Sequence, residues 1–262
     1  MTEIWPLLQA ECRDRAQAEP HLDNFLRDAV LRWRCPVDAL GYRLARRLCG
    51  PAEGLGLLYG ALALALEADP AIARAAAADL RAYRQRDPAC TQLHLPFLFY
   101  KGFHAVQVQR AAHWHWQQRN FTTACLLQHR CSEALAVDIH PAAVIGCGVM
   151  LDHATGFVAG ETTVIEDDVS LLHGVTLGGT GKQRGDRHPK VRRGAVLGAG
   201  ALVLGNIDIG AGARVGAGSV VLQSVPSAGT AVGGCARLVQ RRSSAAPARL
   251  PQAAVEALFD PA

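Results

Sequence analysis

The 262-residue chain has little excess charge and no long apolar run. Its 27 Lys and Arg residues against 23 Asp and Glu residues give a net charge of +4, which argues against a nucleic-acid partner. In the first half, the longest stretch without a charged or strongly polar residue runs only from Gly54 to Leu66, whereas a membrane span needs roughly 20 residues. The N-terminus lacks a basic segment followed by an apolar one, so neither a signal peptide nor a membrane partner is expected.

Cysteine pairs are also missing. The eight cysteines are scattered without a C-x-x-C motif, and a chain of this length does not need disulfides to fold. We therefore expect reduced thiols in a cytoplasmic protein. Hydrophobic residues make up 50% of the chain, which excludes a mostly disordered protein.

Residues 1–136 are rich in Ala, Leu and Arg at helical spacing and predict an all-helical N-terminal domain. The clearest helix begins at the N-cap Asp69, has Pro70 at its first position and ends near Asp87, which precedes a proline. Further helices are expected near residues 3–18, 21–32, 38–49, 55–68, 101–118 and 121–134.

From Ile139 onward the sequence repeats every six residues. Seven hexads precede a ten-residue interruption from Gly181 to Lys190, and six hexads follow it from Val191. Only Thr163 among the leading residues is not apolar. This pattern predicts a parallel β-helix over residues 137–239, with three hexads to a coil and about four coils. The rule for parallel crossovers favours right-handed coils. Residues 240–262 are expected to form a flexible tail.

Several motifs carry a resemblance to a known family. They are Asp138–Ala143, Leu151–Gly156 and Gly185–Lys190 in the repeat, with Arg86–Ala89 and Lys101–Ala105 in the helical half. Together they resemble the serine O-acetyltransferases, hexapeptide-repeat enzymes that make O-acetylserine from L-serine and acetyl-CoA in cysteine biosynthesis. The resemblance extends to about residue 239 and implies left-handed coils, against the general rule. The expected fold is α+β, a helical domain followed by a left-handed parallel β-helix.

The resemblance implies a catalytic group. His153 is the expected general base, because its unperturbed pKa near 6.5 suits proton transfer at neutral pH. Asp138 is implied as the carboxylate that orients it, although Asp138 would also serve to cap the entry into the β-helix. On the charged loop, Arg187 is expected to hold the serine carboxylate, and His188 to bind that carboxylate or polarise the reacting carbonyl.

The remaining ligand-binding residues are implied in the same way. Asp87 and Asp152 are expected to hold the serine ammonium, which places the serine pocket between the two domains. Without the resemblance, Asp87 is only the residue that ends a helix. Glu161 is expected to line the site in an unassigned role. The acetyl-CoA contacts are expected at Gly179, Thr180, Ala199 and Ala217, with Arg214 near the CoA phosphates and Lys182 as a second candidate.

No metal is expected. Turn geometry alone also accounts for Gly179, Ala199 and Ala217. His113 and His115 lie on different faces of a helix and indicate packing, while His140 and His173 are expected to be polar corner residues. His173 stands where a polar amide would be expected.

The resemblance also implies an assembly. Family members form trimers with active sites between neighbours, and trimers pair through their N-terminal helices, so we expect a hexamer with a trimer as the alternative. Cysteine is expected to inhibit by competing for the serine pocket. Known members end in an isoleucine that docks into O-acetylserine sulfhydrylase. This chain ends in Ala262, so we do not expect a tight complex.

Three alternatives stay open at this level. Another hexapeptide acyltransferase, acting on a sugar or a different amino acid, would share His153 but lack the helical segment with Asp87. A zinc lyase of the carbonic anhydrase type would need three histidines to converge, and His153, His173 and His188 are available. A scaffolding role is disfavoured by the charged loop.

Overall fold

The computed structural model describes residues 1–51, 53–182 and 184–233, so the predicted tail at 240–262 lies outside the described residues. The described chain begins with eight α-helices: α1 Trp5–Ala18, α2 Asp23–Leu26, α3 Pro36–Leu48, α4 Leu55–Ala68, α5 Pro70–Arg86, α6 His94–Phe99, α7 Lys101–Gln117 and α8 Phe121–Leu135. A 3₁₀ turn, Pro20–Leu22, precedes α2, and a π-helical turn, Arg27–Leu31, follows it.

The ends of α5 are those that the sequence predicts. The side chain of Asp69 accepts a hydrogen bond of 2.9 Å from the Ala71 amide, and the helix stops at Arg86. Helix α6, which contains Pro96, was not among the predicted helices. The proline stands in the first turn of this short helix, where its missing N–H group costs no intrahelical hydrogen bond.

The second half is a parallel β-helix with three sheets. Sheet 1 contains β1 Val137–Ile139, β4 Phe157–Ala159, β7 Thr176–Gly178, β10 Leu202–Leu204 and β13 Val220–Val221. Sheet 2 contains β2 Val144–Ile145, β5 Val164–Ile165, β8 Lys190–Val191 and β11 Asp208–Ile209. Sheet 3 contains β3 Met150–Leu151, β6 Ser170–Leu171, β9 Val196–Leu197, β12 Arg214–Val215 and β14 Thr230–Ala231. Five stacked coils result within the described residues, so the prediction of about four was wrong.

The hexad frame slips by two residues in the first coil. Leu151 pairs with Leu171, a spacing of twenty residues, whereas Ala159 pairs with Leu177 at the regular spacing of eighteen. The two extra residues lie in the turn that contains His153. As a result, the inward aliphatic residue of the next hexad is Ile165, and Thr163 is a second buried position beside it. The predicted interruption of ten residues is therefore divided between this turn and the later loop.

Helix α5 covers the open edge of the first coil. Strand β3 ends sheet 3, so its outer edge has no neighbouring strand. Three side chains of α5 bond to the backbone there in place of a neighbouring strand. Asp79 accepts from the Val149 amide at 2.9 Å, and Arg86 donates to the Gly148 carbonyl at 3.0 Å. Between them, the Tyr83 hydroxyl donates to the carbonyl of Leu151 at 2.7 Å and accepts from its amide at 3.1 Å. These contacts fix the C-terminal end of α5 against the β-helix.

Cysteines in the described residues form no disulfide: all seven, from Cys12 to Cys147, are free thiols. Over the same part of the chain, no single helix is both long enough and apolar enough to cross a membrane. Helices α4 and α5 together meet the length and composition criteria, but they are bent by 96° where they meet.

Candidate active site

One cavity of about 400 Å³ lies where the helices meet the β-helix. It is lined by Tyr83, Asp87, Ala89, Phe99, Tyr100, Lys101, Gly102, Leu151, Asp152 and His153. Its volume is in the range of small-molecule sites. The cavity therefore brings together three of the predicted site residues, Asp87, Asp152 and His153, from both halves of the chain.

His153 lies at the corner between sheets 3 and 1, on the turn that carries the two-residue insertion. His153 and Ala154 both have positive φ angles, 54° and 61°, a conformation that is costly for residues other than glycine. The His153 side chain is 71% exposed, with its Nε2 3.4 Å from an Asp152 carboxylate oxygen. Strain in consecutive residues is typical of functional turns, and here it turns a histidine into the cavity.

The two carboxylates of the cavity are differently held. One oxygen of Asp87 accepts a 2.8 Å hydrogen bond from the Ala89 amide, which fixes the carboxylate at the end of α5. Asp152 faces it from the β-helix, and Lys101 reaches the same turn through a hydrogen bond to the Thr155 hydroxyl. Two carboxylates beside one imidazole can receive an ammonium group and leave the imidazole free for a neighbouring hydroxyl.

Asp138, the predicted partner of His153, lies on the outer side of β1. Its carboxylate accepts a 2.8 Å hydrogen bond from Gln128 of α8, and among the described residues no hydrogen bond joins it to His153. The two residues are nevertheless near each other along the coil, because the Gly156 amide donates to the Ala136 carbonyl at 2.8 Å. The role of Asp138 stays a prediction.

Arg187 and His188 lie at a different corner, between sheets 1 and 2. Arg187 donates to a Glu161 carboxylate oxygen at 2.8 Å, and this hydrogen bond lowers the pKa of Glu161. Glu161, which had no assigned role, is thus the charge partner of Arg187. The His188 ring is packed against Gly160, and burial lowers its pKa, with the Arg187 cation lowering it further.

The predicted cofactor residues are divided between the same two corners. The corner with His153, which we call the His153 corner, continues through His173, Ala199 and Ala217 in the next coils. The ladder includes hydrogen bonds from the Gly200 amide to the His173 carbonyl and from the Gly218 amide to the Ala199 carbonyl. Arg214 is exposed two residues before this corner, with no ion-pair partner in the described part of the chain.

The corner with Arg187, which we call the Arg187 corner, contains Gly179, Thr180, Glu161 and His188. The Gly179 backbone lies beside Arg187 and His188: a Cβ added at Gly179 would be 3.6 Å from His188 Nε2. Lys182 is exposed on the loop that leads to this corner. One chain therefore presents the predicted site as two rows of residues, one before and one after the strands of sheet 1.

Histidines do not gather into a metal site in the described residues, where no three His, Cys, Asp or Glu side chains are grouped to hold an ion. The rings of His153 and His173 meet edge to face with centroids 5.7 Å apart, while His188 lies at the Arg187 corner. His113 and His115 make packing contacts, and each ring donates a 2.8 Å hydrogen bond to a backbone carbonyl oxygen, that of Pro141 and that of Ala61 respectively.

Sequence reasoning missed several residues that shape the site. Tyr83, Tyr100 and Gly102 line the cavity, and a Cβ on Gly102 would lie 1.8 Å from the Leu151 carbonyl oxygen. Gly160 and Thr162 hold His188 at the other corner. The only available signal was their closeness to recognised motifs, because the contacts depend on which coils and helices stack together.

A β-helix of six-residue repeats, with a histidine and two carboxylates in a cavity at its edge, defines the class of hexapeptide-repeat acyltransferases. Residues 4–108 match the family described as "Serine acetyltransferase, N-terminal". A relative named serine acetyltransferase from Salmonella typhimurium is 49% identical over 244 residues, which cover 93% of this chain and 89% of the relative. The chain therefore belongs to the serine acetyltransferase family and is an acyltransferase.

Solved structures of relatives agree with this assignment. The serine acetyltransferase of Brucella abortus, in complex with coenzyme A, has a TM-score of 0.87 and 44% identity, over 93% of this chain and 97% of that one. A serine acetyltransferase in complex with cysteine has a TM-score of 0.87 and 48% identity, over 91% and 99%. The enzyme of Neisseria gonorrhoeae in complex with serine has a TM-score of 0.85 and 47% identity, over 90% and 97%.

Proposed function

We propose that the chain transfers the acetyl group of acetyl-CoA to the hydroxyl of L-serine. The observation that carries this proposal is the single cavity that gathers Asp87, Asp152 and His153. These residues match two requirements of the reaction: an ammonium group must be held, and a hydroxyl group must be deprotonated. The relatives that hold coenzyme A and serine support the same pair of substrates.

In the proposed reaction, His153 takes the hydroxyl proton while the serine oxygen attacks the thioester carbonyl carbon. The tetrahedral intermediate then collapses, the carbon–sulfur bond breaks, and the imidazolium returns its proton to the CoA thiolate. O-acetylserine and CoA leave, and His153 is neutral again. Asp87 and Asp152 hold the ammonium, and Asp138 orients His153 in this scheme.

Arg187 and His188 enter this scheme from a second copy of the chain. Both rows of site residues flank sheet 1, whose outer side exposes Val158, Leu202 and Val220 at 36%, 36% and 58%. If three copies close around these apolar ladders, the His153 corner of one copy meets the Arg187 corner of the next. Arg187 then holds the serine carboxylate bidentately, with Glu161 keeping the guanidinium in place.

Acetyl-CoA is proposed to lie in the groove between the His153 corner of one copy and the Arg187 corner of the next. In the described structure the backbone amides of Ala199 and Ala217 make no hydrogen bond, so both are available to the pantetheine arm. Gly179 and Thr180 approach from the opposite corner, and the exposed Arg214 and Lys182 are placed for the phosphates. The CoA-bound relative supports this use of the β-helix.

We propose a hexamer made of two trimers, with a trimer as the alternative. Helix α4 leaves one apolar side uncovered, with Leu57 and Leu64 56% and 52% exposed. Gly56 and Gly60 on the same helix have nothing within 4 Å of an added Cβ, so another helix can approach closely. A second copy of α4 is the occupant we propose.

Cysteine is proposed to inhibit at the serine site. It offers the same ammonium and carboxylate as serine to Asp87, Asp152 and Arg187, and the relative solved with cysteine supports this. Competition against serine is the expected pattern. Unchanged initial rates at millimolar cysteine and subsaturating serine would refute it.

Two further proposals concern organisation. We propose that the domain boundary lies near residue 136, since α8 ends at Leu135 and β1 begins at Val137. A cytoplasmic location is proposed from the free thiols of the described residues.

The test is CoA release from acetyl-CoA with serine, beside homoserine, threonine and a panel of sugars. We expect release with serine alone, and a loss of about 100-fold or more in kcat for His153→Ala. His129→Ala is the matched control, because His129 is an exposed histidine of α8 outside the cavity, 61% exposed beside Glu133. Release with another acceptor would overturn the serine assignment, and an unchanged His153→Ala rate would overturn the base.

A further inference from the structure

A single threonine ties the charged loop to the β-helix. The hydroxyl oxygen of Thr162 accepts hydrogen bonds from the amides of Arg187 and His188, at 3.0 and 3.1 Å. It also lies 2.9 Å from Nδ1 of the His188 ring. One side chain thus sets the backbone of both loop residues and touches the imidazole of the second.

The Thr162 backbone determines where the His188 proton lies. Its amide N–H is 3.2 Å from His188 Nδ1, and an amide can only donate. Nδ1 must therefore be an acceptor, and the proton of a neutral His188 must be on Nε2. The Thr162 hydroxyl, 2.9 Å from Nδ1, can donate to the same nitrogen. The amide thus sets the tautomer, and the Thr162 hydroxyl, which accepts from the amides of Arg187 and His188, keeps the ring beside that amide.

The surroundings keep the ring neutral. His188 is only 7% exposed, and burial disfavours its charged form. The charged groups that face it are Arg187 and Lys190, which disfavour a second positive charge, and Glu161, which favours one; His140 is the remaining titratable neighbour and also disfavours the charge. Three of these four neighbours act in the same direction as burial.

Gly160 sets the direction of the ring. A Cβ at this position would lie 2.0 Å from His188 Nε2 and 2.2 Å from Cδ2, so the ring occupies the space that any other residue would need. Nδ1 is held by Thr162 on one side, and the Nε2 edge passes over Gly160 toward Gly179. The donor hydrogen on Nε2 is therefore the one that the site presents.

We propose that Thr162 is a positioning residue that holds His188 as the neutral Nε2–H tautomer, so that His188 donates a hydrogen bond to an oxygen of the bound reactants. This inference rests on the proposed acetyl transfer to serine. A neutral donor binds a carbonyl or carboxylate oxygen without adding a mobile proton to the site, which leaves proton transfer to His153.

The kinetic test compares three substitutions. Thr162→Val keeps the shape but loses the hydroxyl, and we expect kcat/KM for serine to fall about 10- to 100-fold, with the acetyl-CoA KM changed less than about threefold. Thr162→Ser restores the hydroxyl and should recover most of that loss. Thr163→Val is the matched control, because the buried Thr163 hydroxyl has no hydrogen-bond partner in the described structure. Its kinetics should match the unmodified enzyme.

The tautomer test does not depend on activity. Ring ¹⁵N shifts of the histidine-labelled enzyme, measured by magic-angle-spinning NMR and assigned with His188→Gln, distinguish the three protonation states. We expect a neutral Nε2–H ring at pH 7, and loss of that single state in Thr162→Val. A proton on Nδ1, or a charged ring at pH 7, would overturn the inference, as would wild-type kinetics in Thr162→Val.

These outcomes separate the two proposals. If the enzyme does not acetylate serine, the proposed function fails while the ¹⁵N shifts still decide the tautomer. If it does acetylate serine and Thr162→Val changes neither kinetics nor shifts, only the inference fails. If Thr162→Val does not fold, the wild-type shifts and the Thr162→Ser kinetics decide.

Discussion

Removing the Tyr83 hydroxyl should both destabilise the folded protein and lower its kcat. The hydroxyl is the only partner in the described structure for two backbone groups of Leu151, whose edge no strand covers. Burial holds the pKa of Tyr83 well above its usual range, so the hydroxyl stays protonated and can donate. Leaving a buried polar group unpaired costs about 1–3 kcal/mol, so the two Leu151 groups together would cost about 2–6 kcal/mol. Water entering the adjacent cavity would offset part of this, so we expect about 2–4 kcal/mol for Tyr83→Phe.

The assay is thermal unfolding at fixed protein concentration, together with steady-state kinetics. A loss of that size corresponds to a fall in Tm of roughly 4–16 °C for a chain of this length. Since Leu151 precedes Asp152 and His153, kcat should fall about tenfold as well. Tyr42→Phe is the matched control, because its hydroxyl makes only long contacts, 3.2 and 3.4 Å, to Asp28 at the surface. A Tyr83→Phe enzyme with the Tm and kcat of the control would refute the reasoning.

Three further changes have expected outcomes. Gly160→Ala should lower kcat/KM for serine by about 100-fold, because the added Cβ displaces His188; an unchanged value would contradict the packing. Glu161→Gln should raise the serine KM a few-fold, since the half-exposed pair with Arg187 is weak, and the effect should shrink at high salt; a salt-independent KM would argue against it. Leu64→Glu should convert hexamers to trimers in light scattering while each trimer keeps its activity; retained hexamers would place that interface elsewhere.

The sequence predicts the architecture well because the β-helix follows from a local, six-residue sequence pattern. Each hexad needs its own aliphatic residue, so the period is visible without any tertiary contact. The errors arose where the chain departs from the period. Two residues inserted at the His153 turn shift the frame of six. Val169 and Val175, which the unshifted frame takes as inward residues, are themselves apolar and buried, so the sequence pattern does not reveal the shift.

The site was predictable only where a motif is local. The turn with Asp152 and His153, and the loop with Arg187, are contiguous segments that resemble a family. Glu161, Thr162 and Gly160 act on residues about 26 positions away, a distance fixed by the loop inserted in the third coil. Tyr83 meets Leu151 across 68 positions, which no periodicity can indicate.

The cover that α5 places over β3 has a consequence for solubility. An open end of a parallel β-helix is a template on which another chain can add its own strands, so uncovered ends promote end-to-end fibres. Here the cover is made by hydrogen-bonding side chains of Asp79, Tyr83 and Arg86, and the same helix ends at Asp87 in the cavity. Protection from aggregation and completion of the cavity therefore depend on the same helix. Variants selected only for resistance to fibre formation should tend to preserve this helix, and with it the placement of Asp87.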